Sequence, residues 1–157
     1  MNHAVRRRVK LADNGYDNNV LQPVAAKQII VNATCAMQSV NLLIDTGAGV
    51  SLVNTRFIKQ ANLIDKIQPT ETLIAGVGRN LIPLRGQIEL LVTIGEHAVS
   101  HCYAVCDSLD NEFLVGLDLL GRLQASVDLP NKKLHSQGGF VDFIDKPLCS
   151  KSRCKIR

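Results

Sequence analysis

Apolar residues along this chain come in short, β-branched runs broken by turn formers, with almost none of the three-to-four spacing of helices. "QIIVNATC" (28–35) and "SVNLLI" (39–44) read as two strands joined at "AMQ", a hairpin that delivers Asp45 to a strand end. "SLVNTRFIKQANLI" (51–64), with Phe57, Ile58, Ala61 and Leu63 apolar, suits a further strand and a short helical turn. "ETLIAGVGRNLIPLRGQIELLVTIG" (71–95) holds two strand-like arms around "AGVGRN", where Gly76 and Gly78 favour a hairpin tip. "AVSHCYAVC" (98–106) and "NEFLVG" (111–116) are strand-like, and "LDLLGRL" (117–123) is the one short helix expected. "ASVDLPNKKLHS" (125–136) reads as strand, Pro-Asn turn, strand. Together these elements predict an all-β domain of barrel or sandwich type.

The ends of the chain differ in character. Residues 1–23 are polar, with "DNGYDNN" (13–19) as turn or linker and Pro23 closing it. Beyond residue 135 the pattern fades to Phe140, Val141, Phe143 and Ile144, half strand and half tail. The expected division is a basic, polar linker at 1–23, a domain at 24–135 and a basic extension at 136–157.

Composition narrows the class. A chain of 157 residues fits one domain, and 46% hydrophobic against 20% charged residues excludes a disordered chain. No apolar run approaches the roughly 20 residues that span a bilayer, and "MNHAVRRRVKLADNG" lacks the apolar stretch of a secretory signal. An intracellular, non-secreted protein with no membrane partner is expected. Five cysteines, Cys35, Cys102, Cys106, Cys149 and Cys154, cannot all pair within one chain, so free thiols are expected.

The net charge of +4 conceals a segregation. Arg6, Arg7, Arg8 and Lys10 within residues 1–10, and Lys146, Lys151, Arg153, Lys155 and Arg157 within residues 146–157, are nine bases in tails that hold no acid; the body between them stands at −5. Such tails suit weak contact with nucleic acid. A solvated tail is the plainer reading, because no aromatic residue interleaves with the charges to stack on bases.

The candidate chemistry lies in "NLLIDTGAGVSLV" (41–53), where Asp45 interrupts an apolar run and is followed by Thr46, Gly47, Ala48 and Gly49. Small neighbours leave the carboxylate open to an amide carbonyl or a water. A glycine N–H can hydrogen-bond its oxygens, and a threonine hydroxyl can stiffen the loop through backbone bonds. One carboxylate cannot act at once as base toward water and acid toward an amide. Two sharing one proton can, because like charges a few ångströms apart do not both ionise.

"LLIDTGAGVSLV" resembles the Asp-Thr-Gly-Ala signature of retropepsin-like aspartic proteases, those of retroviruses and of long-terminal-repeat retrotransposons of the Gypsy-like type. "LIAGVGRN" is similar to that family's glycine-rich flap, "GQIELLVTIGEHAVSHCYAV" to the two strands after it, and "FLVGLDLLGRLQASVDL" to the closing Gly segment and short helix. The resemblance covers roughly residues 27–135 in order and spacing. It implies a retropepsin-like barrel, catalytic Asp45, a supporting loop of Thr46, Gly47 and Ala48, and a substrate-binding flap at Ala75, Gly76, Val77 and Gly78. It also implies an aspartic endopeptidase that processes a retroelement polyprotein in the cytoplasm or in a particle, without metal or cofactor.

The chain holds no second Asp-Thr-Gly or Asp-Ser-Gly and is too short for two lobes, so the partner acid is expected to be Asp45 of a second copy in an obligate homodimer. Retroviral members often carry an acid at the place of Gly49 and pair it with an arginine in the segment matching "GLDLL"; here that segment offers Leu117 and Asp118. The rival use of such a fold is a catalytically silent, domesticated module for dimerisation or peptide binding.

Other residues read more plainly. Asp118 caps or flanks the short helix and Asp128 ends a strand before Pro130. His97, His101, Cys102 and Cys106 resemble a zinc set, but alternation sends His101 and Cys102 to opposite faces of a strand, so packed strand residues are expected. Cys149 and Cys154 lack the histidine and second pair of a zinc knuckle. Asn32-Ala33-Thr34 is a chance glycosylation sequon within a predicted strand.

Overall fold

The computed structural model describes residues 28–145. The expected linker at 1–23, both basic tails and Cys149 and Cys154 lie outside them.

A tight hairpin begins the fold: β1 (Ile30–Cys35) and β2 (Gln38–Ile44) pair antiparallel, with Cys35 opposite Gln38. Its turn is Ala36-Met37, both at positive φ, which matches the twist of the flanking strands although neither residue favours that region. β3 (Leu52–Asn54) leads into α1 (Thr55–Gln60), where the Asn54 side chain caps the helix by accepting from the Arg56 N–H at 2.7 Å. A second hairpin, β4 (Ile74–Ala75) with β5 (Leu81–Ile82), stands apart from the main sheet. The long strands β6 (Leu84–Ile94) and β7 (His97–Cys106) follow, then β8 (Phe113–Val115) and α2 (Leu117–Arg122).

Six strands close into a barrel in the order β1-β2-β8-β3-β7-β6. Closure comes where Thr34 and Cys35 of β1 pair with Thr93 and Val92 of β6. Alternation along β6 turns Gly86, Ile88, Leu90, Val92 and Ile94 inward. The core they join is anchored by Phe57, Tyr103 and Phe113, whose rings meet with centroids 5.1 and 5.2 Å apart. α2 buries Leu119 and Leu120 against it.

α2 lies where the sequence predicts a helix, and α1 stands where it predicts a short helical turn. The segment 51–64 resolves into a three-residue strand and one short helix, because the Asn54 cap starts a helix that buries Phe57 and Ile58 on one side. Past α2, β9 (Ser126–Asp128), β10 (Lys133–Ser136) and β11 (Gly139–Asp142) form a separate sheet in the order β11-β10-β9. The chain then returns to the barrel: Phe143 bridges Val31, and the Ile144 N–H donates to the Ile30 carbonyl at 2.8 Å.

Candidate active site

β2 and β8 run parallel, with Ile44 beside Val115, so the loops leaving their ends lie side by side. That one pairing builds the site. The Asp45 N–H donates to the Val115 carbonyl at 2.9 Å, which fixes the acid's backbone at the mouth of the barrel. Its Oδ1 accepts from the Gly47 N–H at 2.9 Å, and the Ala48 N–H donates to the Asp45 carbonyl at 3.2 Å. A side chain at Gly47 would start 3.2 Å from that same Oδ1, so the glycine keeps the carboxylate unobstructed. Asp45 and Ala48 are half-buried, whereas Thr46 and Gly47 are exposed.

The loop is pinned from the β8–α2 side at three further points. The Leu117 N–H donates to the Ala48 carbonyl at 2.8 Å. The Gly116 N–H donates to Ser51 Oγ at 3.0 Å. Asp118 then takes both donors of Ser51, the N–H at 3.0 Å on Oδ2 and the hydroxyl at 2.6 Å on Oδ1. Two more bonds complete the carboxylate: His101 Nε2 at 2.9 Å on Oδ2 and the Leu119 N–H at 2.8 Å on Oδ1. Burial alone would raise the Asp118 carboxyl, but these hydrogen bonds outweigh it and hold the group below the ordinary aspartate range.

Asp118 neither caps nor flanks α2: Gly116 occupies the N-cap, and Asp118 lies inside the first turn of the helix. Its main role is to hold Ser51. Ser51 does not stand out as a site residue in the sequence, and His101 does so only within a zinc-like set read as packed strand residues. The available signal was a serine inside "GVSLV" and an aspartate inside "GLDLL", two polar residues where strand and helix should bury apolar ones. Ser51 is fully buried.

The flap segment forms the β4–β5 hairpin. Ala75 ends β4, and Val77–Arg79 make the turn between Gly76 and Asn80, with Gly78 and Arg79 both at positive φ. The Gly76 N–H donates to the Asn80 carbonyl at 2.8 Å, and Gly78 adopts φ of 83°, a left-handed value that glycine takes without strain. Val77 at the tip is fully exposed. At the base of the hairpin, Ile74 and Ile82 pack on a small apolar cluster built from Leu52, Ala104 and Cys106, which Val50 and Leu114 also join. The hairpin and the Asp45 loop are therefore linked through shared apolar neighbours, separate from the barrel core.

β7 alternation buries His101 and exposes Cys102. Among the described residues no three His, Cys, Asp or Glu side chains gather to hold a metal ion. Nor, among them, is any helix long and apolar enough to cross a membrane.

Comparison with known proteins agrees with this architecture. Residues 31–122 match the family described as "gag-polyprotein putative aspartyl protease". The chain is 32% identical over 108 residues to DNA damage-inducible protein 1 of Chaetomium globosum; the match takes in 67% of this chain and 24% of that protein, so the chain spans about a quarter of its relative's length. Among solved structures, the retroviral protease-like domain of Ddi1 from Leishmania major superposes with a TM-score of 0.63 at 22% identity, covering 75% of this chain and 92% of that one. The EIAV protease complexed with the inhibitor HBY-793 gives 0.55 at 21% identity, covering 69% of this chain and all of the other. Those two likenesses establish a retropepsin-like fold. With its Asp45 loop held at the parallel β2–β8 edge and the family match running from β1 through α2, the chain belongs to the gag-polyprotein aspartyl protease family.

Proposed function

We propose that this chain is an aspartic endopeptidase that works as a symmetric homodimer and cleaves sites in a retroelement polyprotein. The observation that carries the reading is the Asp45 carboxylate at the end of β2, oriented by the Gly47 N–H and left open by small neighbours. Each chain brings one such acid. Two copies related by a two-fold axis would place two Asp45 side chains around one water. The ionised one takes a proton from the water, whose oxygen attacks the peptide carbonyl carbon. The protonated one donates a hydrogen bond to the carbonyl oxygen and then its proton to it. The tetrahedral species collapses as a proton passes to the leaving nitrogen and the C–N bond breaks. The hairpin from Ala75 through Gly76, Val77 and Gly78 to Arg79 closes over the peptide, pairs with its backbone as an added strand and excludes bulk water. Nothing in this scheme draws on a metal or cofactor.

The protease domain in this reading is 24–135, flanked by a linker and a basic extension. A second reading, a catalytically silent module for dimerisation or peptide binding, draws on the likeness to DNA damage-inducible protein 1, a relative not named for polyprotein processing. Pepstatin-sensitive hydrolysis of a peptide library separates the two. Asp45→Asn should abolish cleavage while folding and self-association persist, and turnover retained by that variant would rule out the catalytic assignment. Dilution of the active protein should lower specific activity, because half a site is inert; a flat response would mean the site is complete in one chain.

A further inference from the structure

A continuous line of hydrogen bonds runs from the outer edge of the barrel to the Asp45 loop, and it passes through a histidine that the catalytic scheme does not use. Arg122 Nη1, on the last turn of α2, donates to the Ser100 carbonyl at 2.8 Å and to His101 Nδ1 at 3.0 Å. His101 Nε2 meets Asp118 Oδ2 at 2.9 Å, Asp118 holds Ser51 by two bonds, and Ser51 Oγ receives the Gly116 N–H. Guanidinium carries donors only, so the Nδ1 that faces it must present a lone pair, and the ring's proton sits on Nε2 and is donated to Asp118. The imidazole is 8% exposed and lies edge-on to Tyr103, with ring centroids 5.3 Å apart, so neither nitrogen is free to exchange partners with solvent.

We propose that His101 is a positioning residue: through Asp118 and Ser51 it sets the place of the 45–51 loop and hence of the Asp45 carboxylate. The inference rests on the protease reading for its kinetic consequence but not for its structural one. Asp118 accepts four bonds, and three of them come from Ser51 and from its own helix; His101 is the contact that ties the carboxylate to the long β6–β7 hairpin. Arg122 still ties α2 to the Ser100 carbonyl at 2.8 Å, and the Ala104 N–H still holds the Ser51 carbonyl at 3.1 Å, so what is lost with His101 is the orientation of the Asp118 carboxylate, and with it the aim of the two bonds to Ser51. A site that needs two acids to meet one water tolerates little of this. A displacement of order 1 Å at a reacting group lowers turnover by about 100-fold.

Two variants separate positioning from plain packing. His101→Phe keeps the ring against Tyr103 and removes both nitrogens. His101→Gln gives up the ring, but its amide nitrogen can stand where Nε2 stood and its carbonyl oxygen can face Arg122. Peptide hydrolysis and backbone hydrogen exchange are measured on the full chain for each. The expected result for His101→Phe is a kcat loss approaching 100-fold with KM little changed, and faster exchange confined to amides 46–51 and 116–119. His101→Gln should restore both toward the original values. The proposal is overturned if the Phe variant exchanges normally in those segments, if exchange rises equally in β1 and β2, or if Gln is as impaired as Phe. Should the unaltered protein fail to cleave peptides at all, the protease reading falls, and the exchange data still decide the brace.

Discussion

Gly116 and Ala48 approach so closely that no side chain fits between their loops. A Cβ added at Gly116 would sit 2.7 Å from the Ala48 carbonyl oxygen and 3.0 Å from the Val50 carbonyl group. The backbone of Gly116 is extended, at φ −97° and ψ −172°, which any residue can adopt, so the demand for glycine here is purely one of space. Gly116→Ala must therefore push the Asp45 loop away from β8 or break the Leu117 bond to Ala48. We expect an overpacking cost of about 1–3 kcal/mol, read as a lower urea midpoint, together with loss of any proteolytic activity. Gly49→Ala in the same loop meets nothing within 4 Å and should leave the midpoint unchanged. Equal effects from the two would show that the loop does not depend on that contact.

The strand pattern and the short helix at 117–123 were legible because each rests on local alternation or periodicity, as was the placing of Asp45 just past the end of β2. The turn at Ala36-Met37 and the helical turn of α1 were expected in place but not in detail: the first uses two residues that seldom accept positive φ, and the second starts at an Asn54 cap rather than at an apolar repeat. The Gly47 N–H on the Asp45 carboxylate was legible in the small residues after the acid, but the loop's long-range supports were not. Ser51 and Asp118 are 67 residues apart, and His101 lies 17 from Asp118; they meet only because β3 pairs with both β7 and β8 inside a closed barrel. Residue type gives notice that a buried serine needs a partner, but which partner is a property of topology.

Gly86 makes a second close approach, at the irregularity where β6 joins β7. Its φ of 140° lies in the region that favours glycine, and a Cβ would come within 2.3 Å of the Gln68 carbonyl oxygen. That oxygen and the Gln68 N–H both bond the Gln87 backbone at 2.8 Å, so the neighbour is held and cannot retreat. Gly86→Ala should destabilise the fold by about 2 kcal/mol or more, since strain and overpacking act together. A urea midpoint equal to that of the unaltered protein would contradict the geometry.

Tyr103 offers a change in the opposite direction. The ring is fully buried among Phe113 and His101, yet its hydroxyl has no hydrogen-bond partner among the described residues. A buried phenol without a partner forfeits its hydration and gains nothing in return, and burial accordingly pushes its ionisation well above the ordinary tyrosine range. Tyr103→Phe keeps the ring contacts and removes the unmet group, so stability should hold or rise by up to about 1 kcal/mol. A clear fall in melting temperature would mean that the hydroxyl has a partner the geometry does not reveal.

Asp118 sets the sign of the last prediction. Its carboxyl titrates below the ordinary aspartate value in the folded chain, because the bonds from Ser51, His101 and Leu119 favour the ionised form more than burial opposes it. A depressed carboxyl stabilises the fold fully at pH values above its unfolded pKa, about 3.9, and this contribution disappears as pH falls through the lower, folded value. Asp118→Asn removes that dependence while leaving the exposed Asp107 and the half-buried Asp128 in place, so the difference between the two proteins isolates one group. At neutral pH the Asn variant should unfold at clearly lower urea. Below about pH 4 the gap should begin to narrow as the unfolded chain takes up the proton first, and it should close as pH falls through the lower folded value, where the native aspartate loses its charge as well. A gap that stays constant from pH 7 to pH 2 would show that the substitution acts through shape alone, and that ionised Asp118 is not what holds Ser51.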